Sequence, residues 1–279
     1  MQHCFLFLRI SKQKLNDSKN ITQAMLIDYT GKTVLITGGS RGIGKVCAKF
    51  FASLNADVII TYNKNLDEAE KTITELAHQG NHGLFQLDQS KPKCVHRFFE
   101  KMLEHYPQLD VLVNNAGIYI EHKINEVSYE DWQQSWEDTI STNLNGVANL
   151  CFFASRHMIQ QGGGKIINIS SRGAFRGEPD HPAYAASKAG LNAMSQSLAV
   201  SLAPHNVSVH IIAPGFVETD MTTELLNSEA GEDIKKQSPF NRVATADEVA
   251  RLAAVYASPG FEFTSSGIID LNGASYLRG

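Results

Sequence analysis

The chain has 279 residues, of which 43% are hydrophobic and 19% charged, and its formal net charge is −4. These values are typical of a globular protein with enough apolar residues to form a sizeable core. No run of Lys or Arg is longer than two residues. Neither a nucleic acid nor an anionic membrane surface is therefore expected as a partner.

The cysteines are spaced too widely for a disulfide framework or a metal centre. None belongs to a C-x-x-C pair, and no H-x-x-x-H pair accompanies an acid on a predicted helix. We therefore expect buried thiols in a reducing compartment and no metal site. The four cysteines are Cys4, Cys47, Cys94 and Cys151.

The first 29 residues lack the pattern of the rest of the chain. A short apolar run at residues 4–8 is followed at once by basic residues, whereas a secretory signal places its basic residues first. No stretch approaches the roughly 20 apolar residues that span a bilayer. We predict a loosely ordered N-terminal extension over residues 1–29, with Met25 as an alternative start of translation, and a cytoplasmic protein.

From residue 30 to residue 279, short apolar runs alternate with longer helical stretches. The predicted strands are 33–37, 58–61, 84–87, 110–113, 165–169, 207–212 and 267–271. The predicted helices are 43–54, 66–78, 92–105, 129–160, 182–204 and 246–257, and a polar segment at 219–238 predicts a mobile flap with short helices. This alternation predicts a single-domain α/β protein, a Rossmann fold with a doubly wound, seven-stranded parallel sheet and helices on both faces.

A glycine-rich segment with the spacing G-x-x-x-G-x-G separates the first strand from the first helix. Glycine lets the backbone turn tightly and approach a pyrophosphate, while the helix N-terminus offers free N–H groups. A glycine-rich turn alone is weak evidence, but its place between a strand and a helix predicts a dinucleotide-binding loop. The loop residues expected at the cofactor are Gly38, Ser40, Arg41, Gly42, Ile43 and Gly44.

The end of the second strand distinguishes between the two nicotinamide dinucleotides. NAD enzymes usually place an acid there to bind the ribose 2′-hydroxyl, but residues 61–64 contain no carboxylate. Asn63 and Lys64 stand there instead, and Arg41 lies inside the glycine loop. We therefore favour NADP(H), whose 2′-phosphate would meet cations. NAD(H) is the alternative if Arg41 and Lys64 are only solvated surface charges.

The clearest catalytic signal is the pair Tyr184 and Lys188, which share one face of a helix at i and i+4. Free tyrosine has a pKa near 10, too high for efficient proton transfer at neutral pH. A neighbouring ammonium favours the phenolate and is expected to lower that pKa. The alternative is a surface pair without function, since Tyr and Lys at helical spacing are common.

Other polar or small residues follow the ends of the predicted strands. Ser171 follows the fifth strand, residues 114–117 end the fourth, Asn143 lies on the next helix, and residues 214–215 end the sixth. Open α/β sheets bind ligands at the carboxyl ends of their strands. We therefore expect these residues to surround one site.

Together these motifs resemble the classical short-chain dehydrogenase/reductase family over roughly residues 30–277. The resemblance implies direct hydride transfer between NADP(H) and a carbonyl or secondary alcohol, without a metal. It makes Tyr184 the acid/base and Ser171 the residue that polarises the carbonyl. Lys188 lowers the tyrosine pKa and holds the nicotinamide ribose, while Asn143 positions a water that relays protons from Lys188. The further cofactor contacts that it implies are Asp88, Asn115, Ala116, Gly117, Pro214, Gly215, Val217 and Thr219.

Within this family, residues 214–221 and 267–273 are most similar to 3-oxoacyl-[acyl carrier protein] reductases of fatty acid synthesis. Those enzymes present basic residues to the acidic carrier protein, but the corresponding positions here hold Gly162 and His205. Arg156, Lys165 or Arg176 could compensate. The alternatives are a dehydrogenase of a free small alcohol or sugar, and a non-catalytic NADP(H)-binding sensor or scaffold.

The resemblance also predicts the assembly and the substrate pocket. Relatives usually form homotetramers, and the helix at 129–160 with the apolar end at 276–277 fits such an assembly. One wall of the pocket is expected at residues 118–120, and Arg172 and Arg176 are expected to meet an anionic substrate.

Overall fold

The computed structural model describes residues 27–76, 80–220 and 222–278. Parallel strands form a seven-stranded sheet in the order β3-β2-β1-β4-β5-β6-β9, and β7 and β8 form a separate parallel pair. The strands are β1 (Thr33–Ile36), β2 (Asp57–Tyr62), β3 (Gly83–Gln86), β4 (Val111–Asn114), β5 (Gly164–Ile169), β6 (Val207–Pro214), β7 (Val217–Glu218), β8 (Ala244–Thr245) and β9 (Ile268–Leu271). The sheet confirms the predicted doubly wound fold, and its strand order reverses between β1 and β4.

Helices connect the strands, as right-handed crossovers between parallel strands require. They are α1 (Gly42–Ser53), α2 (Leu66–Thr74), α3 (Pro92–His105), α4 (Tyr129–Ile140), α5 (Val147–Gln161), α6 (Gly173–Arg176), α7 (Pro182–Leu202), α8 (Thr223–Leu226), α9 (Glu229–Lys236) and α10 (Ala246–Ala257). The short helices α8 and α9 lie in the segment predicted as a flap.

The sheet has a hydrophobic core on each face because successive side chains of a strand point to opposite sides. Ile36 of β1 packs in one core with Phe51 of α1 and Ala253 of α10. Leu35, the neighbour of Ile36, packs in the other core with Met102 of α3, and all five of these strand and helix side chains are fully buried. The continuous apolar strands therefore belong to a sheet that is covered on both faces.

The structure differs from the sequence prediction at three places. The predicted helix at 129–160 contains a π-helical turn, Ser141–Gly146, between α4 and α5. The second helix ends at Thr74, and the predicted end at residue 78 lies outside the described residues. Tyr29, assigned to the N-terminal extension, packs in the core and donates a hydrogen bond to the Ala254 carbonyl (2.6 Å); the rest of the extension, 1–26, lies outside the described residues. No helix in the described residues is long and apolar enough to cross a membrane.

Candidate active site

The glycine loop lies at the carboxyl end of β1 and is packed too tightly for side chains. Gly38 has a φ of +66°, and a Cβ there would lie 3.0 Å from Ala116. A Cβ on Gly39 would lie 2.5 Å from the Ile60 side chain, and one on Gly44 would overlap the carbonyl oxygen of Gly38. Close packing thus requires glycine at positions 38, 39 and 44, and the bare backbone of the loop leaves room for a ligand to approach the main chain.

Hydrogen bonds fix this loop to the end of β4, which is the switch point of the sheet. The hydroxyl of Thr37 accepts the backbone N–H groups of Asn115 and Ala116, both at 3.0 Å. The side-chain amide of Asn115 donates to the Thr37 carbonyl (3.0 Å) and to the Gly38 carbonyl (3.3 Å). The predicted residues Gly38, Asn115 and Ala116 therefore lie together. Thr37, absent from the predicted contacts, is the hydroxyl that connects them.

The first turn of α1 has the properties of an anion site. Arg41 precedes the helix without a side-chain cap hydrogen bond, and the first turn, with Gly42, Ile43 and Gly44, contains no acidic residue. Ser40 accepts a hydrogen bond from the Thr72 hydroxyl at its carbonyl (3.1 Å) and so connects the loop to α2. Uncapped N–H groups beside a glycine cradle fit the pyrophosphate of a dinucleotide.

The end of β2 lies beside the same loop. The Gly39 N–H donates to the Thr61 carbonyl at 3.0 Å, which joins the loop to this strand. Asn63, Lys64 and Arg41 are exposed, and within the described ranges neither Lys64 nor Arg41 forms an ion pair. A pocket edge with two available cations and no carboxylate suits a phosphate group.

Residues after β3 and β4 complete the cleft. The Asp88 carboxylate accepts the Ser90 hydroxyl (2.6 Å) and the Ser90 N–H (3.1 Å), which fixes the turn after β3. Gln89, missed by the sequence analysis, is buried and donates its amide to the Ala116 carbonyl (3.2 Å). A Cβ on Gly117 would lie 3.2 Å from the Asn143 side chain and 3.8 Å from the Lys188 ammonium.

Tyr184 and Lys188 lie on the first turns of α7, next to the end of β5. Ser171 hydrogen-bonds the Tyr184 hydroxyl. The Lys188 ammonium lies 5.7 Å from the centre of the Tyr184 ring and donates to the Ile169 carbonyl at 2.8 Å. The helix thus brings the three predicted catalytic residues to one point at the carboxyl edge of the sheet.

Burial dominates the ionisation of both groups. It raises the pKa of Tyr184 to about 12, although the hydrogen bond from Ser171 acts in the opposite direction. Burial lowers the pKa of Lys188 to about 8. The predicted lowering of the tyrosine pKa by Lys188 is therefore not seen here, because the ammonium faces the ring and the Ile169 carbonyl. Near neutral pH, Tyr184 is a phenol.

Asn143 lies in the π-helical turn and is fully buried. Its side-chain oxygen accepts the Ile118 N–H (2.8 Å), and its amide donates to the Ile118 carbonyl (2.9 Å) and to the Ser187 hydroxyl (3.3 Å). The side chain therefore connects the loop after β4 to α7. Its role in holding a water near Lys188 stays a prediction.

The segment after β6 forms the opposite edge. The Pro214 carbonyl accepts the Arg172 N–H (2.8 Å), and the Gly215 N–H donates to the Leu271 carbonyl (3.0 Å). Val217 is buried in β7, just before the flap. Thr219 reaches the glycine loop, since a Cβ on Gly42 would lie 3.5 Å from the Thr219 methyl group. The flap therefore borders the predicted cofactor cleft.

Two further residues near Tyr184, Tyr119 and His122, belong to none of the sequence motifs. The Tyr119 ring stands edge-on to Tyr184 (4.7 Å between centres) and stacks on His181 (3.6 Å). His122 is fully buried, its Nε2 accepts the Ala183 N–H (3.2 Å) and its Nδ1 lies 2.8 Å from the Ile120 carbonyl. Tyr119 belonged to the predicted pocket wall. His122 was missed because only the fold places it beside α7.

The two arginines that were expected to meet an anionic substrate differ in burial. Arg176 is exposed near Glu178 (4.0 Å). Arg172 is 3% exposed and contacts Gln237 and Ser275. Both guanidinium groups contact Gln237, which follows α9.

Comparison with known proteins agrees with this architecture. The profile of the family described as short chain dehydrogenase matches residues 32–230. A 3-oxoacyl-[acyl-carrier-protein] reductase FabG of Chlamydia pneumoniae is 39% identical over 235 residues, which cover 84% of this chain and 92% of the relative. A 2-dehydro-3-deoxy-D-gluconate 5-dehydrogenase of Bacillus subtilis is 35% identical over 250 residues, 89% of this chain and 96% of the relative.

A solved structure gives the same result. A short chain dehydrogenase of Burkholderia cenocepacia J2315 in complex with NADP superposes with a TM-score of 0.80 at 31% identity, covering 88% of this chain and 98% of the other. The chain belongs to the short-chain dehydrogenase family. It is an NAD(P)-dependent oxidoreductase, as the sequence predicted.

Proposed function

We propose that the protein is an NADPH-dependent reductase of 3-oxoacyl thioesters, with Tyr184 as the acid that protonates the carbonyl oxygen. The observation that carries the proposal is the contact of Tyr184 with Ser171 beside the buried ammonium of Lys188. The similarity to the 3-oxoacyl-[acyl-carrier-protein] reductase of Chlamydia pneumoniae supports the substrate class.

The protonation state of Tyr184 is that of the proton donor in a reduction. The pKa of Tyr184, raised to about 12 by burial, keeps the proton on the phenol at neutral pH. In the reduction this proton passes to the carbonyl oxygen, and in the reverse reaction the phenolate takes it back. The hydroxyl groups of Ser171 and Tyr184, which are neighbours in the structure, would both face the carbonyl oxygen of the substrate.

Each side chain then has one task in the reduction. When bound, the nicotinamide cofactor supplies the hydride. Ser171 donates a hydrogen bond to the carbonyl oxygen, and Tyr184 gives it the proton as the alcohol forms. Lys188, with a pKa lowered to about 8 by burial, carries a proton at neutral pH and would hold the nicotinamide ribose when the cofactor is bound. Asn143 holds the loop after β4 against α7.

NADPH is the proposed cofactor because positive charges lie near the end of β2, where they can bind its 2′-phosphate. Arg41 and Lys64 are exposed near the end of β2 without acidic partners among the described residues. The complex of the Burkholderia cenocepacia relative with NADP supports this choice. A 2′-phosphate gains charge-assisted hydrogen bonds from such cations, whereas NADH has no group to use them.

Recognition of an acyl carrier protein would rest on few cations. Lys165, considered as a compensating charge, is paired with Glu262. Arg156 is exposed and lies over the Phe152 ring at 5.5 Å. Arg156, together with Arg176 beside Glu178, is therefore the basic side chain that we propose to contact an acidic carrier. The second candidate function, a dehydrogenase of a free sugar acid or small alcohol, is supported by the Bacillus subtilis relative.

We also propose the homotetramer. Exposed apolar side chains on two neighbouring helices, Phe152 on α5 and Val200 on α7, would be covered in such an assembly. Analytical ultracentrifugation measures the assembly directly, and a monomer at micromolar concentration would contradict it. The cytoplasmic location stays a prediction.

The decisive assay follows the loss of NADPH absorbance with acetoacetyl-CoA as a soluble thioester. We expect turnover that exceeds the rate with NADH and that is lost in Tyr184→Phe, while NADPH binding is kept. The matched control is Tyr129→Phe, which changes an exposed tyrosine on α4. Absence of thioester turnover together with oxidation of a sugar acid would support the second candidate, and inactivity on every carbonyl with intact NADPH binding would indicate a sensor or scaffold.

A further inference from the structure

The end of β5, which carries Ser171, is fixed to β6 through the backbone. The Ser170 N–H donates to the Ile212 carbonyl (2.7 Å), and the Arg172 N–H donates to the Pro214 carbonyl (2.8 Å). These bonds place the strand end within the sheet, but they do not set its distance from α7, the helix that packs against the sheet and carries the catalytic tyrosine. That distance depends on side-chain contacts.

A buried side-chain hydrogen bond joins this strand end to α7. The Ser170 hydroxyl donates to the side-chain oxygen of Asn192 at 2.6 Å, and the two residues are only 4% and 6% exposed. The nitrogen of the same amide is buried without a hydrogen-bond partner among the described residues, so the oxygen is the atom that makes the contact. Because water is excluded here, no solvent molecule competes for the bond.

The bond lies close to the reacting groups in sequence and in space. Asn192 is on α7, about two turns after Tyr184. Ser170 directly precedes Ser171, and Ser171 hydrogen-bonds the Tyr184 hydroxyl. Two neighbouring residues of the strand end are therefore bound at two points of one helix. A rotation of the backbone at Ser170 would move the hydroxyl of Ser171 relative to that helix.

Lys188, one turn before Asn192, also contacts this strand end but has a second task. Its ammonium donates to the Ile169 carbonyl at 2.8 Å, and in the proposed reaction the same ammonium would hold the nicotinamide ribose. The amide of Asn192 contacts a serine that takes no part in the reaction. Its contact with the strand end therefore does not depend on the cofactor.

We propose that Asn192 is a positioning residue, whose bond to Ser170 keeps the next residue, Ser171, at hydrogen-bond distance from the catalytic hydroxyl of α7. This positioning role rests on the proposed reaction, in which the serine and tyrosine hydroxyls both face the carbonyl oxygen. Geometry of this kind matters for the rate, because a displacement of about 1 Å at a reacting group can lower turnover about a hundredfold.

The test separates position from stability with a single and a double substitution. Asn192→Leu removes the acceptor at similar volume and leaves the buried Ser170 hydroxyl unsatisfied, so it should lower both kcat and the urea midpoint. Ser170→Ala/Asn192→Leu leaves neither partner unsatisfied, so its urea midpoint should return toward the wild-type value. Its kcat for the reduction of acetoacetyl-CoA by NADPH should stay roughly tenfold or more below wild type, with a smaller change in KM. The double variant also covers the case in which Asn192→Leu fails to fold.

Ser195→Ala is the matched control. The Ser195 hydroxyl accepts the side-chain amide of Asn168 at 2.7 Å, a buried bond between the same strand and the same helix, one turn further along α7 than Asn192. Its loss leaves a buried donor unsatisfied, so the control should have a lower urea midpoint and wild-type kcat. Recovery of kcat together with stability in the double variant would overturn the proposal, as would an equal loss of kcat in Ser195→Ala.

Crystal structures of the wild type and the double variant give a readout that needs no turnover. The distance between the hydroxyl oxygens of Ser171 and Tyr184 should exceed the roughly 3.0 Å of a hydrogen bond in the variant. An unchanged distance would overturn the positioning role. Inactivity of the wild type with acetoacetyl-CoA would instead contradict the proposed thioester substrate, and the two crystal structures would still decide whether Asn192 positions Ser171.

Discussion

The imidazole of His122 accepts the backbone N–H of Ala183 at 3.2 Å, one residue before Tyr184. Because Nε2 is the acceptor, Nδ1 carries the proton and donates to the Ile120 carbonyl at 2.8 Å. No side-chain cap hydrogen bond comes from His181, the residue that precedes α7. A side chain from the loop after β4 thus satisfies an N–H group at the start of the catalytic helix.

We expect His122→Ala to lower kcat at least tenfold with a smaller change in KM, because the first turn of α7 loses an anchor and Tyr184 shifts. The lost hydrogen bond should also lower the free energy of unfolding by about 1–3 kcal/mol. Steady-state kinetics and urea denaturation measure the two effects. His122→Gln, whose side-chain oxygen can accept the same N–H, should recover part of kcat. A drop in stability with unchanged kcat would show that His122 has only a structural role.

Lys188→Met should abolish turnover and raise the free energy of unfolding near pH 7. Burial lowers the pKa of Lys188 to about 8 from its ordinary value of 10.5. Below pH 8 the ammonium is charged in both states, and its desolvation disfavours the folded state. Between about 8 and 10.5 the unfolded chain binds the proton that the folded chain has lost, so wild-type stability rises with pH.

The advantage of Lys188→Met should accordingly shrink as the pH rises from about 7 to about 9.5. Urea denaturation of both proteins at the two pH values gives the comparison. An advantage that stays constant, or grows, would mean that Lys188 keeps an ordinary pKa in the folded protein.

Arg41→Ala should raise KM for NADPH about tenfold, equivalent to 1.4 kcal/mol, and leave KM for NADH unchanged. The reason is that Arg41 is exposed beside the glycine loop and no described carboxylate pairs with it. Arg97→Ala, a change on α3, is the control for loss of net positive charge. Parallel changes in KM for both cofactors would place Arg41 at the pyrophosphate rather than at a 2′-phosphate.

Two glycines of the loop should respond differently to alanine. A Cβ on Gly44 overlaps the Gly38 carbonyl, so Gly44→Ala must displace backbone and should abolish cofactor binding. A Cβ on Gly42 has its nearest neighbour at 3.5 Å, and its cost is the left-handed φ of +52°, about 1 kcal/mol. Gly42→Ala should therefore bind NADPH more weakly but measurably. Thermal unfolding measures the stability of the two variants, and fluorescence titration measures their affinity for NADPH. Equal losses in Gly42→Ala and Gly44→Ala would contradict the difference expected from packing.

The sequence predicted the sheet because its strands are continuous apolar runs, and buried parallel strands require them. Tyr184, Lys188 and the glycines were predictable because each group lies within a few consecutive residues of one element. His122 and Thr37 were missed because their partners are distant in sequence and only the fold brings them together.

Side-chain direction was the second source of error. Arg172 was expected to meet an anionic substrate because it follows Ser171, and the spacing gave no sign that its side chain is buried between Gln237 and Ser275. The pKa of Tyr184 was expected to fall because Lys188 is near in sequence, whereas burial raises it to about 12. The environment of Arg172 and the pKa of Tyr184 depend on the water and the atoms that surround each group. The spacing of residues along a sequence does not contain this information.

The π-helical turn Ser141–Gly146 has a consequence for the length of the chain in this region. A wider turn holds a residue more than an α-helical turn does, and each α-helical residue advances about 100° around the axis. Removing a single residue from this turn would let α4 and α5 join as one regular helix. Asn143 would then lose its register with Ile118, and the buried side of α5 would rotate away from the sheet. A one-residue deletion here would therefore rotate α5 about its axis relative to α4, which affects the structure more than the small loss of length.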